Sequence, residues 1–356
     1  MERLDWPDVV VLLLAIASGV MSFAIVGAIA QRFGQQLLDI PNERSSHTRP
    51  TPRGGGLGFV LAFAIAAGLA ALAPLFQPFL PASWADILGS VANFQPPILL
   101  MGAVLLPLAI VGFIDDRQGV SSAVRYLVQL GTAGMACYAF GALPFPWLES
   151  WGLAGQVVAI ALSLFGFTAL VNFSNFMDGI DGIVAGVSAV QLGFLALYLQ
   201  QPILWLLVAA LLGFLWWNWS PAKIFMGDVG STVLGATVAI ALFNVPDSNP
   251  TLAWSALAVT LPLTGDAVYT ILCRLRRGEN VFQAHRTHLY QRLHQAGWPH
   301  AQVSTLYIGL ALVIALLIAS WPRTGAWLSL AIVLLAILGG EIYLARSRTS
   351  LSMPEL

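Results

Sequence analysis

The sequence predicts an all-α polytopic membrane protein with about eleven transmembrane helices, and three observations carry that prediction. Apolar residues make up 58% of the 356-residue chain and charged residues only 9%, where soluble domains average about 25% charged. Apolar runs close to the ~20 residues that cross a bilayer recur along the whole length. With the amino terminus placed outside, every Lys and Arg of the sixteen except Arg3 and Arg323 falls on an inside loop, which is the bias that orients membrane proteins. An even number of crossings would scramble that bias. The expected product is one integral membrane domain over 1–356, with its amino terminus periplasmic and its carboxyl terminus cytoplasmic.

The first apolar run, about 9–30, follows M-E-R-L-D-W-P-D. That opening has no basic n-region and no small-residue cleavage pattern follows, so the run reads as a retained helix. Ten more runs lie at about 55–76, 96–114, 123–142, 155–172, 183–200, 203–217, 229–244, 253–273, 303–320 and 326–344. The inside loops then fall at about 31–54, 115–122, 173–182, 218–228 and 274–302. Trp6, Trp84, Trp147, Trp151, Trp216, Trp217, Trp219, Trp254, Trp298 and Trp321 sit near run ends, as an aromatic belt requires. Cys137 and Cys273 have no metal-like spacing and read as apolar fillers. No nucleic-acid partner is expected.

Chemistry concentrates at the inner ends of the runs. The stretch Asn172–Gly182, N-F-S-N-F-M-D-G-I-D-G, places Asn172, Asn175, Asp178 and Asp181 directly after an apolar run. Ionisable groups beside hydrocarbon are costly and usually functional. Asp178 and Asp181 are three apart, as are Asn175 and Asp178, a spacing that shares a helix face. Gly179 and Gly182 interrupt the helix and suggest a reopened turn where backbone can approach a ligand. The simpler alternative is an acid capping the helix that starts at Ile183.

The third run ends G-F-I-D-D-R, delivering Asp115 and Asp116 as an adjacent pair that points about 100° apart if the helix continues. A polar helix terminus is the plainer reading. The seventh ends W-W-N-W-S-P-A-K-I-F-M-G-D-V-G-S, bringing Asn218, Phe225 and Asp228 to the same side, with Gly227 and Gly230 flanking the acid. Between the first and second runs, Pro41–Gly56 carries Arg53 and three consecutive glycines. It can be an ordinary basic loop, or it can present backbone N–H groups and an Arg fork to phosphate. Asp266 lies about two turns inside the ninth run and is expected to pair with an arginine or cap a break at Gly265. The last inside loop holds His285, Arg286 and His288. Two histidines can form half a zinc site, but interleaved arginines and the lack of nearby cysteine suit an anion better.

Acids and arginines gathered at one surface suit a divalent cation with a phosphorylated substrate, because Mg²⁺ takes one or two carboxylates and leaves the rest of its shell to phosphate and water. An ion-coupled transporter also buries acids, but its sites favour the bilayer midplane and internal repeats, and no halves are evident here.

The motifs N-F-S-N-F-M-D-G-I-D-G, F-I-D-D, K-I-F-M-G-D-V-G-S and H-R-T-H-L-Y, in this order over about Pro41 to His294, resemble those of the polyprenyl-phosphate N-acetylhexosamine-1-phosphate transferases, glycosyltransferase family 4 in its wider sense. The resemblance implies transfer of a sugar 1-phosphate from a UDP-N-acetylhexosamine or UDP-6-deoxy amino sugar to undecaprenyl phosphate, with release of UMP. It implies a multi-pass protein of the bacterial inner membrane with a cytoplasmic site and Mg²⁺, for which Mn²⁺ can substitute. Homodimers are common in the family. The H-R-x-H form is similar to the branch that initiates O-antigen and related polysaccharides, since the peptidoglycan branch carries three consecutive histidines. Carried onto this chain, the resemblance implies Asp228 as a metal ligand with Asn175 as the second, and Phe225 stacked on uracil. It implies Asp115 and Asp116 at the lipid phosphate and His285 with Arg286 at the pyrophosphate. Asp178 and Asp181 join the catalytic group, and Asn172, Asn218, His288 and Arg53 the substrate-binding group.

Overall fold

A computed structural model describes residues 6–33, 38–41, 49–75, 95–245, 249–281, 283 and 285–351. The expected outer loop at about 77–95 and most of the Arg-rich segment before Arg49 lie outside the described residues. The chain forms α1 (Trp6–Ala28), α2 (Gly55–Leu72), α3 (Gln95–Gln118), α4 (Ser122–Phe140), α5 (Gly152–Met177), α6 (Ile183–Tyr198), α7 (Leu204–Asn218) and α8 (Gly227–Phe243). After these come α9 (Thr251–Leu257), α10 (Leu261–Arg276), α11 (Leu289–Gln295), α12 (His300–Ser320) and α13 (Pro322–Leu351).

Each apolar run expected from sequence is helical, the ninth being α9 and α10 joined by a 3-10 turn over Ala258–Thr260. Among the described residues seven helical segments are long and apolar enough to cross a membrane, and α6, α7 and α8 are shorter apolar helices. The protein is therefore a multi-pass helical membrane protein. An all-α expectation misses one detail. Leu38–Asp39 and Thr51–Pro52 form a two-residue antiparallel ladder, and Arg53 bridges to Phe225 in parallel.

The centre of the bundle is α8, whose residues from Val229 to Phe243 are all buried. In hydrocarbon, helices have no solvent to drive them together and rely on close packing across small residues. The glycines of α8 and its neighbours serve that purpose. A Cβ at Gly235 would lie 2.6 Å from the Leu170 carbonyl oxygen of α5, and one at Gly112 of α3 would lie 2.7 Å from the Val229 nitrogen. Gly56 of α2 meets the backbone of Gly230. Three helices thus cross α8 at backbone distance, α2 and α3 near its amino-terminal end, where the acids lie, and α5 at its middle.

Candidate active site

The floor of the site is the amino terminus of α8. Gly227 has φ +77°, a left-handed conformation that glycine adopts without steric cost, and this turn aims the first N–H groups of α8 outward. Asp116 receives them: its Oδ1 accepts from Asp228 N–H at 2.9 Å and its Oδ2 from Val229 N–H at 3.4 Å. A carboxylate there answers both the unpaired donors and the positive end of the helix. Asp116 is 8% exposed and Gly227 leaves room for it, since a Cβ would sit 2.6 Å from its Oδ2.

Asp115 points elsewhere, as the continuing helix requires. Its Oδ1 accepts from Val120 N–H at 2.5 Å and its Oδ2 from Arg125 Nη1 at 2.7 Å. The same Arg125 nitrogen donates to Asp228 Oδ2 at 3.1 Å, and Asn175 Nδ2 donates to Asp228 Oδ1 at 2.9 Å and to Ser231 Oγ at 3.0 Å. Residues from α3, α4, α5 and α8 therefore meet at one corner. Arg125 was legible only as one more inside charge. Its place between two site acids depends on how α4 packs, which no local pattern encodes.

Asp178 ends α5 and is half-buried. Burial, then the charges of Asp228, Asp116 and Asp181, push its carboxyl up to about 8. Among the described residues no side chain donates to it. Asp181 contrasts with it at 7% exposure. Its Oδ2 accepts from Ala222 N–H at 3.1 Å and lies 3.2 Å from His300 Nδ1, while its carbonyl accepts from Ser304 Oγ at 2.6 Å. Burial alone would raise this acid, but the hydrogen bonds from His300 and Ala222, with the His300 charge, hold it below the usual carboxylate range. Its carboxylate fastens the turn after α5 to the 218–228 segment and to α12. It does not cap α6.

Two amides also turn out to be engaged by the fold. Asn218, 4% exposed, accepts Gly182 N–H at 3.0 Å and donates to the Ile224 carbonyl at 3.0 Å. Asn172 donates to Gln129 Oε1 at 2.6 Å and to the Thr168 carbonyl at 2.8 Å, and accepts from Gln129 Nε2 at 3.4 Å. These partners give both amides a structural task in holding neighbouring backbone and side chains together.

The glycine-rich loop is engaged by the fold in the same way. Gly55 N–H donates to the Phe225 carbonyl at 2.9 Å and Gly56 N–H to the Met226 carbonyl at 2.8 Å, while Phe225 N–H donates to the Pro52 carbonyl at 2.8 Å. These N–H groups are not offered to phosphate. The close approach that the glycines permit is to another stretch of backbone, and its effect is to pin half-buried Phe225 from both sides. Arg53 stands beside it, 36% exposed on its side chain and 3.9 Å from Asp39.

The last loop is held from below. Arg274, 3% exposed, donates to Glu279 at 2.9 Å and to the carbonyls of Asn280 at 2.6 Å and Gln283 at 3.0 Å. Asp266, expected to pair with an arginine or cap a break at Gly265, does neither and instead accepts the Leu289 and Tyr290 N–H groups of α11. His285 Nδ1 sits 2.9 Å from Thr287 Oγ1. Burial, then the neighbouring charges of His288 and Arg274, lower His285 to about 4, so it is neutral at pH 7. His288 is buried, with its ring 4.8 Å from that of His285. Arg286 is half-exposed.

Among the described residues no group of three or more His, Cys, Asp or Glu is arranged to hold a metal ion. Asp228 offers a carboxylate at a partly open position, 29% exposed, and Asn175 beside it, which turns its Nδ2 toward that carboxylate, could add its amide oxygen once the amide rotates. That hard, incomplete donor set fits Mg²⁺, which completes its shell with phosphate and water. It does not fit a closed zinc site.

A family model described as glycosyl transferase family 4 matches residues 98–245, a span that contains all five acids of the corner but not the His285–His288 loop. The chain is 27% identical over 348 residues to the probable undecaprenyl-phosphate N-acetylglucosaminyl 1-phosphate transferase of Bacillus subtilis, covering 94% of this chain and 90% of that protein. It is 29% identical over 323 residues to the decaprenyl-phosphate N-acetylglucosaminephosphotransferase of Mycobacterium leprae, covering 81% and 77%. It is also 31% identical over 293 residues to the phospho-N-acetylmuramoyl-pentapeptide-transferase of Deinococcus radiodurans, covering 77% and 86%.

Proposed function

Because the chain belongs to glycosyl transferase family 4, the family of the polyprenyl-phosphate N-acetylhexosamine-1-phosphate transferases, we propose that it transfers an N-acetylhexosamine 1-phosphate from a UDP-linked donor to undecaprenyl phosphate. UMP is released, and the product initiates a lipid-linked polysaccharide such as O-antigen. The reaction runs at the cytoplasmic face of the bacterial inner membrane, where a lipid-borne phosphate and a soluble nucleotide can meet. The observation that carries this reading is the convergence of Asp115, Arg125, Asn175 and Asp228 at one helix terminus, beside a backbone-pinned Phe225.

In the proposed step an oxygen of the lipid phosphate attacks the sugar-bearing phosphorus of the donor. The bond from that phosphorus to the bridging oxygen breaks, and UMP leaves with the oxygen. A phosphate monoester has its second pKa near 6, so most of the nucleophile is already ionised at pH 7. The site's main task is then to place two anions in line and neutralise their charge. Asp228, with Asn175, would hold Mg²⁺ or Mn²⁺ in its place, which when bound would supply Lewis-acid neutralisation of the pyrophosphate. Asp115 keeps Arg125 turned toward the reacting phosphates. Phe225 stacks on uracil. Arg53, His285, Arg286 and His288 form the cationic and hydrogen-bonding wall on the donor side. With three consecutive histidines lacking and N-acetylglucosamine in the names of two relatives quoted above, UDP-N-acetylglucosamine is the donor to try first.

The test is UMP release by purified protein in detergent, across a panel of UDP-N-acetylhexosamines and 6-deoxy amino sugars, with the lipid product read by mass. Release should require both Mg²⁺ and polyprenyl phosphate. Inorganic phosphate as the product would point to a lipid phosphatase, and no turnover with any donor would restore the transporter.

A further inference from the structure

We propose that Asp266, on the membrane helix α10, is the positioning residue for the His285–His288 segment, setting its distance from the turn that carries Asp178. The proposal rests on the reading of that segment as a donor-phosphate contact. Asp266 is 2% exposed, and an acid so deep in a membrane helix is costly unless its charge is answered. Both oxygens are fully engaged. Oδ1 accepts from Leu289 N–H at 2.8 Å and Thr270 Oγ1 at 3.1 Å. Oδ2 accepts from Tyr290 N–H at 3.1 Å and the Tyr307 hydroxyl at 2.7 Å. The donors come from α10, α11 and α12, so one carboxylate ties three elements.

The helix it holds cannot hold itself. A seven-residue α11 is far below the length at which a helix is stable alone, and its first N–H groups have no partner within the helix. His288 immediately precedes it. Among the described residues the buried His288 Nδ1 has no hydrogen-bond partner, and it lies 3.6 Å from Asp266 Oδ1, with its ring between those of His285 and Tyr290 at 4.8 and 5.7 Å. Tyr290 extends the link. Its hydroxyl donates to the Phe176 carbonyl at 3.2 Å and fills the space beside Gly179, where any Cβ would collide with it. Asp266 thus fixes α11, α11 fixes His288, and Tyr290 sets both against the end of α5 one residue from Asp178.

A misplacement of ~1 Å at a positioned group can cost ~10²-fold in rate. The test is a double-mutant cycle on kcat and donor KM, measured per mole of monodisperse, folded protein. Asp266→Asn keeps one acceptor oxygen and strands part of the donor set. It is expected to lower kcat by about 10- to 100-fold, and Asp266→Asn/His288→Ala should be no slower than His288→Ala alone, because both changes remove the same placement. A role in folding alone would lower the yield of active protein without that non-additivity. Losses that multiply, or a folded Asp266→Asn with kcat within about threefold of wild type, would overturn the proposal. A His288→Ala enzyme with unchanged kcat and donor KM would overturn the phosphate reading of the segment and the proposal with it. Should Asp266→Asn fail to fold, Tyr307→Phe removes a single donor to Oδ2. It should lower kcat several-fold and again not add to His288→Ala, and an unchanged kcat there refutes the proposal.

Discussion

The corner where α3, α4, α5 and α8 meet and the corner where α10 meets α11 both seat acids carried by membrane helices, yet they use them differently. At the second, Asp266 is saturated by two backbone N–H groups and two hydroxyls. At the first, Asp228 is met by the side chains of Arg125 and Asn175, and Asp178 by no side-chain donor. The difference teaches how to tell a fastener from a ligand. A backbone donor cannot leave its acceptor without unfolding local structure, whereas a side-chain donor can rotate away and be replaced by a cation or a phosphate. Both kinds of partner meet within one dipeptide, for Asp116 holds the amides of α8 while Asp115 takes the Val120 N–H on one oxygen and Arg125 on the other.

Each side of this contrast can be broken separately. The largest effect is expected at Asp228, where Asp228→Asn should insert and fold but lose ~10²-fold or more in kcat, since a lost metal ligand removes several kcal/mol of charge neutralisation. Activity within about threefold of wild type would count against its role. Phe225→Ala should act on donor binding and raise the KM for the UDP-sugar with little change in kcat, by the ~1 to 3 kcal/mol that base stacking supplies. Asn218→Ala belongs to the other class. It strands the Gly182 N–H and the Ile224 carbonyl, so it should destabilise by ~1 to 3 kcal/mol and leave the kcat/KM of the folded fraction near wild type.

The smallest effect is one of pH. The folded protein holds His285 near 4, below its ordinary value of about 6.5, so between these limits the unfolded chain binds the extra proton. Stability must therefore fall as pH drops from about 6.5 toward 4. His285→Gln should flatten that part of the stability curve, which thermal melts at intervals of half a pH unit would detect.

Much of this was readable in advance, because hydrocarbon enforces simple rules. The helices follow from apolar runs, and the Asp178–Gly182 turn follows from acids and glycines clustered directly after such a run. What escaped reading is what depends on partners distant in sequence. Gly55 and Gly56 signal close approach, but nothing local says that Phe225 and Met226 approach them. Asn218 and Asp181 sit in polar motifs, and only the fold shows that Gly182, Ile224 and Ala222 are their partners. Arg125 had the opposite fate. As a lone arginine on an inside loop it matched the orientation rule, which hid its contact with two acids from α3 and α8.

The measurement that tests the central contrast most directly is the shift in melting temperature caused by Mg²⁺ together with UDP-N-acetylglucosamine, compared in wild type, Asp228→Asn and Asp181→Asn. A ligand that binds only the folded state at 100 times its Kd stabilises by about 2.7 kcal/mol, a shift of several degrees. Asp228→Asn should start near the wild-type melting temperature and show no shift. Asp181→Asn should start lower, having lost the negative charge that His300 and the Ala222 N–H meet, and still show the full shift. The reverse pattern, with a ligand-induced shift in Asp228→Asn and none in Asp181→Asn, would contradict the account.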